Sequence, residues 1–295
     1  MTLNPRTQST TSIDTLFVTL NALNPERLAQ FYTERIGLKK LTSDATSKWI
    51  SLGTPDDIEL IRIYETDVAK KKHTTGLYHL ALLLPTRKDL GNILKHLIKT
   101  QTPLIGASDH SYSEAIYLDD PEGNGIEIYV DRDISDWTVN DDGTIPGIVE
   151  PMDAEGVLAL ADQEAYQGMP VGTNMGHVHL HVNNLTDVVD FYHDVLGLGV
   201  KFLMGNAAAF LATGEYHHQL GLNLWNGKDI PASEEHSQGL RTVIWEANAD
   251  DFQEIIQRLD DNKYPFVEDM NYITLQDPAG TNLAVQKSSP TQTEA

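Results

Sequence analysis

Residues 174–200 read NMGHVHLHVNNLTDVVDFYHDVLGLGV, and their pattern decides the fold. Residues 177–182 alternate imidazole with aliphatic side chains, the period of a strand whose two faces differ. Beyond Asn184 the apolar residues fall at helical spacing, and Gly197 stands where that helix would end. Residues 24–39, NPERLAQFYTERIGLK, repeat the order after a strand-like run at 16–20. Each copy holds a Phe-Tyr pair (Phe31 and Tyr32, Phe191 and Tyr192), then an aliphatic-Gly-Leu close ending at Leu38 or Leu198.

A second pair follows. Residues 77–84 are strand-like and 89–98 form an amphipathic helix; 240–247 and 250–259 repeat the sequence of elements. Both members end in a hairpin whose turn reads Asp-Pro-x-Gly, Asp120 to Gly123 and Asp277 to Gly280. The chain therefore carries four modules, at 13–66, 76–131, 174–226 and 238–287. Each predicts strand, helix, then several strands, an α+β organisation of four repeated modules in two halves. The halves run 13–131 and 174–287, joined by an acidic, Gly- and Pro-containing linker at 132–173 and flanked by flexible tails at 1–12 and 288–295.

Composition narrows the function. The 295 residues suffice for two compact domains with cores of their own. No stretch of about 18 apolar residues suggests a membrane span, and the polar start lacks the apolar segment of a secretory signal, so a cytoplasmic location is expected. With no cysteine, disulfides, zinc-thiolate sites and iron–sulfur clusters are excluded, and a metal would have to sit on His, carboxylates and water. The formal net charge of -22 repels phosphate backbones and anionic lipids, so neither nucleic acid nor a membrane is an expected partner. A homo-oligomer is compatible with all of this.

The A-B-A-B module order, with TTGLYHLALLLPTRKDL (74–90), SDHSYSEAIYLDDPEGNGIEIY (108–129) and MGHVHLHVNNLTDVVDFYHDVLGL (175–198), resembles the vicinal oxygen chelate superfamily. That superfamily includes glyoxalase I, bleomycin-resistance proteins and extradiol ring-cleavage dioxygenases. The three runs look most like the two-domain catechol 2,3-dioxygenases of Gram-positive bacteria, and the resemblance spans nearly all of 13–287. It implies an α+β fold of four βαβββ modules forming two barrel-like halves, in which each module wraps as a curved sheet and a metal is held by first and last strands.

Aligning the four first strands makes Phe17, His79, His177 and Arg241 equivalent, and aligning the two hairpins sets Glu127 against Ala284. Only His79, His177 and Glu127 can ligate a metal. Two imidazoles and a carboxylate make a facial triad, which suits Fe(II), with Mn(II) a substitute of similar ligand preference. Because His79 and Glu127 lie in module two and His177 in module three, the triad predicts that modules pair two with three and one with four.

Three further residues are candidates for the chemistry. The hairpin centred on Glu122 places Tyr117 across from Glu127 and on the same face; the resemblance implies that it hydrogen-bonds a substrate oxygen. His110, in the preceding loop, is near a substrate-contacting His of the family, offset by about two residues. The run 216–222, YHHQLGL, resembles the family's His-His strand, which implies that His218 is the acid/base; strand alternation turns His217 to the opposite face. His179 and His181 share the face of His177 and are lining residues or competing ligands. Trp225 and Trp245 are candidates to line an aromatic pocket, with core packing the favoured expectation.

The function implied is an extradiol dioxygenase of aromatic hydrocarbon catabolism, using O₂ to open a small aromatic diol beside its hydroxyl carbons at an Fe(II) centre. The alternatives are a hydroquinone-type ring-cleaving dioxygenase, a glyoxalase-type isomerase, which in that family takes two carboxylate ligands, and a metal-free drug-binding resistance protein.

Overall fold

A computed structural model of the chain describes residues 6–44, 46 and 48–288. The first module contains β1 (Ile13–Ala22), α1 (Pro25–Phe31), β2 (Lys39–Asp44), β3 (Trp49–Gly53) and β4 (Glu59–Glu65). The second contains β5 (Gly76–Leu83), α2 (Arg87–Lys99), β6 (Gly106–Asp109), β7 (Ser113–Asp119) and β8 (Gly125–Asp131). After β9 (Glu150–Pro151) and α3 (Ala154–Ala159), the third module has β10 (Asn174–His181), α4 (Leu185–Asp194), β11 (Gly199–Met204), β12 (Ala208–Ala212) and β13 (Leu220–Asn223). The fourth has β14 (Gly239–Ala247), α5 (Ala249–Asp261), β15 (Phe266–Asp269), β16 (Tyr272–Gln276) and β17 (Asn282–Lys287).

Local chemistry sets the helix ends. Asn24, Asn184 and Asn248 each accept backbone N–H groups of the first turn through their side chains. Gly37 and Gly197 close the two Phe-Tyr segments at φ 92° and 78°, a left-handed conformation that favours glycine. Between α1 and Gly37, residues 32–36 widen into a π-turn.

The strands form two curled sheets. One runs β15-β16-β17-β14-β1-β4-β3-β2, the other β11-β12-β13-β10-β5-β8-β7-β6-β9. Module one is thus joined to four, and two to three, through antiparallel pairs β1–β14 and β5–β10. This is the crossed pairing that the split triad demands. Alternate residues of the central strands, such as Leu80, Leu82, Val178 and Leu180, are fully buried in one core with the helices. The residues between them, His79, Ala81, His177 and His179, face the concave side.

Sequence neighbours are tied in a second way. The hydroxyl of Tyr32 donates to Asp120 at 3.1 Å, and that of Tyr192 to Asp277 at 3.0 Å, both buried. Each Asp also accepts two backbone N–H groups, one from within its own Asp-Pro-x-Gly turn and one from the residue that follows it (Glu122 and Asn124 to Asp120, Ala279 and Thr281 to Asp277). The Phe-Tyr repeat and the hairpin repeat are therefore two halves of one contact. It clamps module one to two and three to four, while the sheets join them crosswise.

Two expectations need correction. Residues 6–12 are docked: the Arg6 guanidinium pairs with Asp190 at 2.5 Å and Asp194 at 3.1 Å, and Thr11 is buried against the Leu196 carbonyl. They cover the open end of α4. Residues 1–5 and 289–295 lie outside the described residues. The segment 132–173 is more than a linker: β9 extends the second sheet, and α3 packs on α2 at Gly91, where a Cβ would lie 2.4 Å from the Val157 carbonyl.

Burial raises the Asp277 carboxyl to about 6, with its hydrogen bonds only partly offsetting. A carboxyl raised in the folded state favours folding when protonated, so this contribution is full below about pH 4 and is lost as pH rises through about 6. Asp277→Asn should remove that slope. Relative to the parent chain, the variant's unfolding free energy is expected to gain about 2–3 kcal/mol between pH 4 and pH 7, read from urea melts.

Candidate metal centre

Three adjacent strands assemble the centre. Ala81 on β5 pairs with His177 on β10 and with Glu127 on β8, so Glu127, Ala81 and His177 form one row across the sheet. His79 stands two residues before Ala81 on the same face. Ala81 is fully buried and has only a methyl group, which leaves the space above the row to the three longer side chains. His79, Glu127 and His177 are 6%, 3% and 1% exposed.

Their donor atoms close a triangle. His79 Nε2 lies 3.0 Å and His177 Nε2 3.1 Å from the same Glu127 oxygen, Oε2, and the two Nε2 atoms are 3.3 Å apart. Burial pushes the Glu127 carboxyl up, but the facing imidazoles of His177 and His79 outweigh it and hold it well below the usual carboxylate range. With that carboxylate ionised, no placement of protons satisfies all three sides. Two N–H donors oppose each other, or a bare nitrogen opposes the carboxylate. One shared cation makes every side attractive. Three cis positions of an octahedron at metal–ligand distances of about 2.1 Å are about 3.0 Å apart, so the triangle fits a divalent ion. Among the described residues this is the sole such group of three or more His and acidic ligands.

Two hydrogen-bond chains reach the cavity beside the triangle. Tyr117 on β7 pairs in register with Glu127, and its hydroxyl is 2.7 Å from His110 Nε2. His110 Nδ1 lies 2.7 Å from the Ile148 carbonyl, which can only accept. In the neutral ring His110 therefore carries its proton on Nδ1 and offers Nε2 as an acceptor to the Tyr117 hydroxyl, which also faces the Glu127 carboxylate. Burial, then the Glu127 charge, raises the Tyr117 phenol well above its ordinary value, so it stays protonated.

The second chain starts at Asp131, the last residue of β8. Its carboxylate accepts from His217 Nε2 at 2.9 Å, and His217 Nδ1 is 2.7 Å from His218 Nδ1. With one proton per ring, His217 accepts at Nδ1 the proton of His218 Nδ1, and His218 keeps a free acceptor at Nε2. His218 lines the cavity, and its ring centre lies 4.3 Å from that of His177 with the planes tilted by 47°. Burial, then the neighbouring imidazoles of His177 and His217, lowers it well below the ordinary imidazole value, which keeps it neutral.

Several readings change here. The strand of the His-His run begins only at Leu220, so His217 and His218 lie in a bend and bond one another instead of turning to opposite faces. Thr242, not Arg241, matches His79: a bulge skips Arg241 in the β1–β14 ladder as one skips Tyr78 between β5 and β10. Of the other histidines, His179 lines the cavity beside His79, and His181 bonds Asn223 at 2.7 Å. Trp245 is core, but Trp225 is 48% exposed and lines the cavity. Asp131 is the member of these hydrogen-bond chains that the sequence reading missed. It directly follows the buried run that ends at Val130, and its partner His217 is 86 positions away, so nothing local marks the contact.

Comparison with known proteins places this geometry. The family model described as the Glyoxalase/Bleomycin resistance protein/Dioxygenase superfamily matches residues 15–128 and 174–284. A catechol-2,3-dioxygenase of Bacillus subtilis (strain 168) is 38% identical over 260 residues, which cover 86% of this chain and 90% of that protein. Among solved structures, a putative dioxygenase from Bacillus subtilis subsp. subtilis str. 168 superposes with a TM-score of 0.64 at 14% identity, covering 96% of this chain and 87% of the other. Glyoxalase I from Zea mays gives a TM-score of 0.59 at 14% identity, over 94% and 92%. The two structural likenesses speak to the fold alone.

The floor of the triangle gives a test that spares the ligands. Ala81→Leu should fill the space above the row and cost about 1–3 kcal/mol through overpacking. The variant is expected to keep its far-ultraviolet circular dichroism while its content of Fe(II) or Mn(II), measured by elemental analysis after anaerobic loading, falls from a single ion per chain towards none.

Proposed function

The chain belongs to the Glyoxalase/Bleomycin resistance protein/Dioxygenase superfamily, and from that premise we propose that it is an extradiol ring-cleavage dioxygenase acting on a catechol-type diol with O₂. The metal would be one ferrous ion on His79, His177 and Glu127, with Mn(II) as a substitute. The observation that carries this reading is the unsatisfiable donor triangle, which opens onto a cavity lined by His218 and Tyr117. The 38% identity to a protein named catechol-2,3-dioxygenase supports the substrate class. A cytoplasmic location is part of the proposal, since a reducing compartment preserves ferrous iron.

When bound, the ion would supply Lewis acidity towards the two vicinal oxygens and a common site for diol and O₂. The side chains then divide the remaining work. His218 takes a diol proton at Nε2 and later returns it, a role open to a neutral imidazole whose other nitrogen is already engaged. His217 and Asp131 hold His218 in that tautomer. The Tyr117 oxygen, its own proton directed to His110, accepts a hydrogen bond from the second hydroxyl. Cleavage beside the two hydroxyl carbons gives a muconic semialdehyde containing both atoms of O₂.

Protein reconstituted with Fe(II) without air should turn catechol yellow once air is admitted. Glu127→Ala should abolish the colour and the bound iron together; full activity in that variant would remove the triad from consideration. Asp131→Asn tests the orienting chain. It is expected to lower kcat by about 10–100-fold, the usual size of such effects around a metal site, while anaerobic catechol affinity stays close to that of the parent.

A further inference from the structure

The diol site continues into a slot that a single ring would leave partly unfilled. The cavity measures about 360 Å³, within the range of pockets that take drug-sized ligands, roughly 300–1,000 Å³. Its outer part has two unlike walls. Module three supplies an aromatic wall: the Trp225 ring stands 5.2 Å from both Tyr78, contributed by β5, and His179. Module two and the following segment supply an aliphatic wall of Ile105, Ile148 and Val149.

These walls are apolar at the surface. Ile105 and Val149 are 68% and 69% exposed, and Met204 on the opposite rim is 38% exposed. Scattered apolar residues on a surface need no explanation, but a contiguous rim around one cavity indicates a ligand or partner. The inner end of the slot is the metal triangle, so the ligand most directly accounted for is one whose diol end reaches that triangle.

Charge restricts the ligand further. Among the described residues, no Lys or Arg lines the cavity, whereas the carboxylates Asp119 and Glu127 do. Beyond the metal triangle an anionic substituent would meet the Asp119 carboxylate and no Lys or Arg, in a chain of net charge -22.

We propose that the diol taken up here carries an uncharged apolar substituent, alkyl or aryl, lying between Trp225 and the Ile105–Val149 wall, and that catechols bearing a carboxylate are discriminated against. This rests on the dioxygenase reading above.

Binding, not turnover, tests it. Protein loaded with Fe(II) and kept free of O₂ is titrated by calorimetry with catechol, 4-butylcatechol and 3-(3,4-dihydroxyphenyl)propanoate. The last two have side chains of similar length and differ in charge. A fully buried methylene is worth about fourfold in affinity, so 4-butylcatechol should bind at least about tenfold more tightly than catechol, and the propanoate no more tightly. Trp225→Ala should narrow the ratio of butylcatechol to catechol affinity. Equal binding of butylcatechol and catechol, equal binding of butylcatechol and the propanoate, or an unchanged ratio in the variant would each overturn the inference and leave the diol site standing. If the loaded protein binds none of the three, the diol site itself fails and the inference fails with it.

Discussion

The antiparallel ladder between β5 and β10 is the constraint on which the rest depends. It sets His177 opposite Ala81 and His179 opposite His79, and so brings one donor from the third module to two from the second. A slip of β10 by one residue would turn His177 and His179 into the core and bring Val178 and Leu180 onto the cavity face. Burial of those aliphatic residues holds the register. A bulge between Met175 and His177 adjusts it locally, and Gly176 at that bulge is packed closely: a Cβ there would lie 1.9 Å from the Tyr129 hydroxyl.

The scaffold is built twice and the chemistry once. The β1–β14 ladder has a bulge at the same place as β5–β10, and Tyr–Asp clamps occur in both pairs of sequential modules. In the first sheet, however, the positions of His177, His79 and Glu127 are taken by Phe17, Thr242 and Ala284, none of them able to complete a triad. That sheet instead stacks the Arg62 guanidinium on Phe17 and Trp49 and that of Arg241 on Tyr64. Such contacts fill a concave face without a metal.

Much of the architecture was legible because it is periodic. Apolar spacing, the terminal glycines and the two Asp-Pro-x-Gly turns are local signals, and the split of His79 and Glu127 from His177 forces the crossed module pairing. The hairpin centre likewise fixes Tyr117 against Glu127, since both lie five residues from Glu122. What escaped was whatever interrupts a period or spans the chain. The bulge at Arg241 shifts one equivalence by a residue, because bulges leave no mark in spacing. The bend at His217 reads as strand because the aliphatic run after it is one. Asp131, Trp225 and the rim residues near Ile148 acquire their surroundings from partners far away in sequence.

The two hydrogen-bond chains take their direction from their outer ends. The Ile148 carbonyl takes the Nδ1 proton of His110, so in the neutral ring Nε2 stands as an acceptor towards the Tyr117 hydroxyl, which also faces the Glu127 carboxylate. The Asp131 carboxylate takes the Nε2 proton of His217, so with both rings neutral His218 donates from Nδ1 and leaves Nε2 bare beside the triangle. Both chains are anchored by groups that can only accept, and that is what orients the imidazoles between them and the triangle.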